Sequence, residues 1–386
     1  MIADYFTALR QELSTALRDK AVVVILIGGS IFYALFYPLP YQPQIADQLP
    51  IAVVDHDRSP LARKLTRHID ASQSVSVVHA GSDLLRVRQM VRDGHLAGYV
   101  EIPERMHAQV LRGEPVHVTV FGNAAYMVMY SEVAQGVSEV VLAMNADIVG
   151  QRLMALGLSP VLAENLPDAI ALDQHDLFNP DGGYANYIVP AVLILILQQT
   201  FLIGICMMQV GRARLPAGPA GLSLLLGRAS AYLLLQILLL LFYLVMVYRV
   251  FHLPSLGSPG LAVLTLLPGF LAMVFLSLTL GVFFRTRETA LQVMMLVSIP
   301  ALFLAGFAWP EELIPWPLDL LGWVIPSTSS INAFIAIHHL GATLADVRPV
   351  WLFMWGLAAV FGTTAWLAGR LSAAERDERP GPALHD

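Results

Sequence analysis

Six long apolar runs are the feature that most restricts what this chain can fold into. A helix of about 20 apolar residues crosses the hydrocarbon core of a bilayer. The runs lie at Ala21–Tyr37, Ile188–Gln209, Ala229–Val250, Gly260–Phe284, Ala290–Ala308 and Val350–Gly369. Only 13% of the residues are charged, whereas soluble domains carry about 25%. The sequence therefore predicts an α-helical membrane protein with six transmembrane helices, the first over 21–38 and the other five within 184–370.

The segment before the first run has helical spacing of apolar residues, at Ile2, Phe6, Leu9, Leu13 and Leu17. Such a pattern directly ahead of a span is typical of an amphipathic helix on the membrane surface, although a packed soluble helix has the same spacing. We expect residues 1–20 to form a cytoplasmic interface helix. No small-residue cleavage site stands clear of the run that follows, so we expect that run to remain as a membrane span.

Residues 39–183 differ sharply from the rest, because they are polar and contain short β-type runs. The patterns predict four strands alternating with helices, and then a long helix from about 125 to 156. The strands are expected at 51–55, 75–79, 96–102 and 116–121, and the shorter helices at 60–69, 84–93 and 103–113. Alternating strands and helices indicate an inserted α/β domain whose sheet is at least partly parallel.

The basic residues of the short connections set the orientation. They cluster before the first run, between the second and third, between the fourth and fifth, and after the sixth. The positive-inside rule places both termini in the cytoplasm, including the tail at 371–386, and places the α/β domain outside. Large domains translocate regardless of their charge, so its own arginines do not oppose this orientation. We expect a multi-pass protein of the bacterial cytoplasmic (inner) membrane.

The sequence shows no motif for catalysis or nucleotide binding by the chain itself. The sequence has no G-x-x-x-x-G-K-[ST] loop, no H-E-x-x-H and no G-x-S-x-G, so we expect no catalytic residue and no ATP hydrolysis here. Its one cysteine, Cys206, excludes an intrachain disulfide and a cysteine-based zinc site. The triplet 55–57, with His68, fits a metal or acid/base pair less well than turn and cap chemistry. Adjacent His338 and His339 point to different sides of a helix, which disfavours shared ligation.

The polar groups inside the runs are almost all uncharged, notably Gln198, Gln199 and Gln292. Ionisable groups mark proton or ion paths in membranes, whereas amides usually form interhelical hydrogen bonds. This composition disfavours a proton-coupled transporter. It favours a bundle that is powered from elsewhere and whose passenger is amphipathic or apolar.

The stretch from Phe303 to Asn332 breaks the fifth run at Trp309-Pro310 and continues with Glu311, Glu312 and further tryptophans and prolines. Proline blocks helix continuation, and broken backbone is tolerated in hydrocarbon only where protein or a cavity covers it. We interpret 309–332 as an outer broken segment that dips into the bundle. The alternative is an ordinary outer loop with interfacial tryptophans.

Taken together, these motifs resemble the permease subunit of type 2 ABC exporters, in the branch with a large external domain between the first two spans. The resemblance covers nearly the whole chain. It rests on IAVVDHDRSPLARKL, FNPDGGYANYIVPA, RTRETALQ and FLAGFAWPEELIPWPL…VIPST, in that order. The connection at 211–228, GRARLPAGPAGLSLLLGRAS, departs from the family pattern because its acids and G-T are missing. This departure puts the contact with the ATPase in doubt and suggests a heteromeric permease as one explanation.

The resemblance implies two paired permease chains above two cytoplasmic ABC ATPases, which bind the ATP and magnesium. Membrane lipid is a further expected partner. In some members a periplasmic adaptor and an outer-membrane channel also take part, and no nucleic-acid partner is expected. The candidate residues fall into three groups. They are Phe6, Leu9, Leu13, Arg212, Arg214 and Arg228 for ATPase coupling through the 211–228 loop, Gln198, Gln199 and Gln292 for the translocation path, and Trp309, Glu311 and Glu312 for an outer gate.

The implied function is efflux of a drug or lipid-like substrate out of the cytoplasm or inner membrane. The competing class is a membrane-anchored receptor or assembly factor, whose external domain binds a ligand without transport. Six spans with a broken connection exceed what an anchor requires.

Overall fold

The computed structural model describes residues 2–42, 47–124, 127–157, 183–213, 215–309 and 313–371. In chain order its helices and strands are α1 (Ile2–Arg18), α2 (Lys20–Tyr41), β1 (Leu49–Asp55), α3 (Pro60–Asp70), β2 (Val75–Gly81), α4 (Leu84–Arg92), β3 (Gly98–Ile102), α5 (Met106–Arg112), β4 (Thr119–Gly122), α6 (Met127–Ala155), α7 (Tyr184–Gln209), α8 (Pro219–Val250), α9 (Pro259–Gly281), α10 (Arg287–Leu304), α11 (Trp316–Val324), α12 (Pro326–His338) and α13 (Arg348–Leu371). The chain divides into two compact units, Met1–Gln44 with Asp176–Asp386, and Ile45–His175.

The first unit is a bundle of apolar helices. In the described residues, 6 helices are long and apolar enough to cross a membrane: α2, α7, α8, α9, α10 and α13. Helices α11 and α12 form an additional pair that is bent by 84°. The described residues therefore agree with the predicted α-helical membrane protein, with about six membrane-capable helices.

Helix α7 lies at the centre of this bundle, and its side chains are buried along most of its length. Helix α2 crosses it closely at Gly204, where an added Cβ would lie 2.5 Å from Leu26 Cδ2. Both α2 and α8 contain a π-helical turn. Tyr243, in the π-helical turn of α8, donates through its hydroxyl to the carbonyl of Ser30, the residue that follows the turn of α2, at 2.9 Å. The chain's one cysteine, Cys206, is buried in α7.

One boundary within the bundle differs from the prediction. Helix α8 begins at Pro219, ten residues before the expected Ala229, so half of the predicted 211–228 loop is helical. Proline is well tolerated in a first helical turn, because its missing N–H would have no intrahelical partner there. Gly218, with φ of 72°, makes the turn that leads into the helix.

The second unit contains one four-stranded sheet in the order β2-β1-β3-β4. Strand β1 is parallel to β2 and β3, while β4 is antiparallel to β3. Helices α3, α5 and α6 cover one face of the sheet around Ile51 and Val100, and α4 covers the other around Val54. The strands lie at the predicted places. Helix α5 begins three residues later than expected, after Arg105 with its left-handed φ of 59°.

Candidate functional site

Helix α1, the lead-in helix ahead of the first membrane-capable helix α2, packs directly on α8. Gly227 of α8 permits this close approach. A Cβ at Gly227 would lie 2.6 Å from the Tyr5 carbonyl oxygen and 2.7 Å from Ala8 Cβ. The Tyr5 hydroxyl donates to Ser230 Oγ at 2.8 Å beside this crossing. Because the nearest obstacle is backbone, no larger residue fits at position 227 without a shift of one helix.

A buried carboxylate lies at the centre of this interface. Glu12 of α1 is only 4% exposed, and it accepts hydrogen bonds from the Arg212 guanidinium and the Tyr232 hydroxyl. The Arg228 Nε lies 3.9 Å from the same carboxylate. We call Glu12, Arg212, Arg228 and Tyr232 the Glu12 cluster.

The Glu12 cluster connects three helices. Arg212 follows the end of α7 and donates through Nε to the Met208 carbonyl at 2.7 Å, whereas Arg228 and Tyr232 belong to α8. A cation at a helix C-terminus also interacts favourably with the helix dipole. Displacement of α1 must therefore break this cluster or move the end of α7 and the adjoining turns of α8 with it.

The charges of the cluster depend on one another. Burial lowers the pKa of Arg212, but the hydrogen bond and negative charge of Glu12 more than compensate, so that this pKa lies above its usual value. Removal of one partner from a buried ion pair typically costs 3–5 kcal/mol, because the other charge remains desolvated. The cluster is therefore stable only as a complete set.

A second ion pair holds the junction between α1 and α2. Asp19 Oδ2 lies 2.6 Å from Arg287 Nη1 at the start of α10, and Asp19 Oδ1 caps α2 by accepting from the Val22 N–H at 3.3 Å. Burial acts to raise the pKa of Asp19, but the hydrogen bonds and charge of Arg287 leave this pKa below its usual value. The lead-in helix is thus tied to the bundle at two points.

The predicted coupling residues occupy different environments. Phe6 is 61% exposed, whereas Leu9 and Leu13 are half-buried. Arg212 and Arg228 direct their charges inward to Glu12, and Arg214 lies outside the described residues. Sequence reasoning missed Glu12 and Tyr232. A usable signal was the spacing of Ala8, Glu12 and Ala16, which places an acid between two small residues on one buried helix face.

The bent pair α11–α12 occupies most of the predicted broken segment. The bend lies at Ile325, directly before Pro326, where proline disfavours helical geometry in the residue ahead of it. Helix α12 is buried almost throughout, and its Ser330 hydroxyl donates back to the Pro326 carbonyl at 2.7 Å. Among the predicted gate residues, Trp309 is 53% exposed, while Glu311 and Glu312 lie outside the described residues.

Residues 20–367 match a family model described as ABC-2 family transporter protein. The match covers most of the chain and, among the described residues, all of the membrane-capable helices except the last turn of α13. The chain belongs to the ABC-2 transporter family. No curated protein sequence matches it significantly. Membership supports a permease subunit of an ABC transporter and a multi-pass membrane protein, and permeases of this family normally work with an ATPase partner.

The amides predicted to line the path of this ABC-2 transporter fall in two places. Gln198 and Gln199 lie on the central helix α7, and buried amide atoms of both lack a hydrogen-bond partner among the described residues. Gln292 is exposed on α10, which packs along α7. An unpaired buried polar group is costly, and these amide atoms of α7 are unsatisfied within the part of the chain that the structure describes.

The remaining polar motifs of the ABC-2 transporter have local partners. Asp55 Oδ1 accepts from the N–H groups of Asp57 and Arg58 at 2.9 and 2.8 Å, and Asp57 Oδ2 accepts from the His107 N–H at 3.1 Å. This is turn and cap chemistry. His338 Nε2 bonds to Ser255 Oγ and His339 Nε2 to the Tyr248 hydroxyl, at 3.0 and 2.7 Å, so the two rings have separate partners.

Proposed function

We propose that this chain is the membrane-spanning subunit of an ATP-driven exporter of the type 2 class. It moves an amphipathic or hydrophobic substrate, drug or lipid-like, out of the cytoplasm or inner membrane. A separate ABC ATPase binds ATP and magnesium and hydrolyses the nucleotide, so the chain itself is a transport subunit without cofactor. Support comes from family membership and from the uncharged interior of the apolar runs.

The observation that carries this proposal is the Glu12 cluster. An ATPase that presses on α1 meets a helix whose buried carboxylate accepts hydrogen bonds from Arg212, after the end of α7, and from Tyr232, within α8, with Arg228 of α8 beside them. Charge-assisted hydrogen bonds are short and directional, so they transmit displacement of α1 to two membrane helices. The exposed face of α1, with Ile2 77% and Phe6 61% exposed, is available for the ATPase.

Both termini are cytoplasmic in this proposal, and the unit with the four-stranded sheet is the inserted extracytoplasmic α/β domain. The distribution of basic residues supports the assignment, because Arg18, Lys20, Arg212, Arg228 and Arg287 all belong to the end of the bundle that holds α1. In such an arrangement the outer domain is free to meet a periplasmic adaptor and an outer-membrane channel.

Two permease chains, identical or different, form the complete pathway in this proposal. Helices α10 and α11 support the pairing, because they expose large apolar side chains, among them Leu296 at 74% and Trp316 at 77%. Substrate leaves between the chains past the α11–α12 bend, and the amides of α7 line its route.

The test is recovery of an ATPase with the tagged chain after extraction in mild detergent. We expect an ATP-hydrolysing partner, and we expect Phe6→Ser combined with Ile2→Ser to reduce its recovery. Loss of two exposed apolar contacts corresponds to roughly tenfold weaker binding or more. Leu111→Ser is the matched control, because Leu111 is 73% exposed in the sheet unit. Absence of any ATPase under several extraction conditions would instead favour the receptor or assembly-factor class.

A further inference from the structure

An apolar groove lies on the surface of the bundle between α8, α9 and α13. Its volume is about 450 Å³. Its walls include Leu222 and Leu226 from α8, Phe275 from α9, and Ala359 and Trp366 from α13. The groove is therefore separate from the Glu12 cluster and from the unpaired amides of α7.

The groove is open along its length and faces away from the bundle core. Leu222 and Leu226 on one wall are 44% and 41% exposed, and Ala359 on the other is exposed as well. Gly362 forms part of its floor, where an added Cβ would lie 3.2 Å from the Phe275 ring. Because these segments cross the membrane, hydrocarbon is the solvent at this surface.

A cation marks one end of the groove. The Arg370 guanidinium carbon lies 4.8 Å from the centre of the Trp366 ring, and Arg370 forms no ion pair with any described residue. We call this end of the groove, at Trp366 and Arg370, the rim. The neighbouring Gly369 accepts a hydrogen bond from the Leu215 N–H at 3.0 Å, which places the rim at the same end of the bundle as α1. Arginine near the end of a membrane helix sits at headgroup level.

The rim also lacks an acceptor. The Trp366 indole nitrogen is shielded from water and donates to no acceptor in the described part of the chain. A buried N–H without a partner costs free energy in an apolar setting. The guanidinium of Arg370, which is exposed over this ring, can bind an ester or phosphate oxygen of a lipid at this end of the groove.

We propose that the groove is a binding site for one anionic phospholipid, with an acyl chain between α8 and α13 and the headgroup phosphate at Arg370. Charge complementarity at the rim and the apolar walls together select this occupant. Anionic lipid in the leaflet on the α1 side also matches the basic end of the bundle. The bound lipid fills the surface between α8 and α13, and thereby holds α13 against the helix that contacts α1.

The test uses the full chain in nanodiscs that contain phosphatidylglycerol with a photoreactive diazirine in its acyl chain. We expect labelled peptides from both walls of the groove, residues 222–226 and 358–366. Ala359→Phe fills the groove from an exposed position and should lower this labelling roughly tenfold. Val360→Phe is the matched control, because Val360 is 56% exposed and does not line the groove.

The headgroup is tested separately with Arg370→Gln. We expect this variant to lose the preference for labelled phosphatidylglycerol over phosphatidylcholine while it still labels at the groove. Labelling spread evenly over all lipid-facing helices, or unchanged by Ala359→Phe, would overturn the proposal in favour of non-specific boundary lipid. Labelling that appears only after removal of residues 372–386 would overturn it in favour of the chain's own tail as occupant.

Discussion

At the scale of single residues, the coupling proposal depends on one carboxylate. Glu12 is buried at 4% exposure and faces two arginines that are themselves largely buried. Its position in α1 follows from helical spacing, but its hydrogen-bond partners Arg212 and Tyr232 lie 200 and 220 residues further along the chain. Local patterns therefore could not reveal the pairing, although they correctly placed the helix that presents it.

Glu12→Gln should destabilise the protein, because Arg212 and Arg228 then lose their counter-charge in a buried setting. We expect a loss of about 3 kcal/mol or more, measured as a lower midpoint of thermal unfolding in detergent. Arg10→Gln on the exposed side of α1 is the control and should leave the midpoint unchanged. In a double-mutant cycle, Arg212→Gln should cost much less in the Glu12→Gln background than alone. Additive effects would show that the two side chains do not interact.

Gly227→Ala should also weaken the packing of α1 on α8. The new methyl group meets the Tyr5 carbonyl oxygen at 2.6 Å, and backbone cannot rotate away as a side chain can. We expect a cost of about 1–3 kcal/mol, which is typical of overpacking, together with loss of ATPase recovery. Gly356→Ala is the matched control, since a Cβ there has no neighbour within 4 Å and alanine favours the helix. Equal stability of the two variants would contradict the close approach.

At the scale of elements, sequence patterns predicted the helices and strands well and their junctions less well. The six apolar runs and the four strands lie where periodicity placed them. The start of α8 was missed because Pro216, Gly218 and Pro219 read as loop residues, whereas Pro219 occupies a first helical turn. The predicted 211–228 loop is therefore shorter than expected, and Arg228 lies on a helix.

The junction between α1 and α2 should show a defined pH dependence. The pKa of Asp19 is depressed below its usual value by its hydrogen bonds and by the charge of Arg287, so its ion pair with Arg287 contributes stability above the usual pKa of an aspartate. The contribution is lost as the pH falls through the lower, folded-state pKa. At pH 5 to pH 7, Asp19→Asn should thus have a lower thermal unfolding midpoint than the wild type. This difference between the two midpoints should shrink below about pH 4. A difference that grows on acidification would have the wrong sign for this pair.

At the scale of the whole molecule, the two units differ in what their surroundings must supply. The sheet unit buries a core on both faces of its sheet, as a water-soluble domain does. The helical unit instead leaves large apolar side chains on its surface, with most of α10 and α13 uncovered. Such surfaces require lipid or a second chain, so the proposed lipid groove and the proposed pairing surface both belong to this unit.

The proposed topology is testable with single cysteines, because the chain has only Cys206 and it is buried. In a Cys206→Ala background, Leu111→Cys places a thiol at a 73% exposed site of the sheet unit, and Thr7→Cys places one on the exposed face of α1. With a membrane-impermeant maleimide, intact spheroplasts should label position 111 only, and permeabilised cells should label both. Large domains cross the membrane regardless of charge, whereas short basic segments stay inside, so the two sites must report opposite sides. Labelling of position 7 in intact spheroplasts would invert the topology and remove α1 from the reach of a cytoplasmic ATPase.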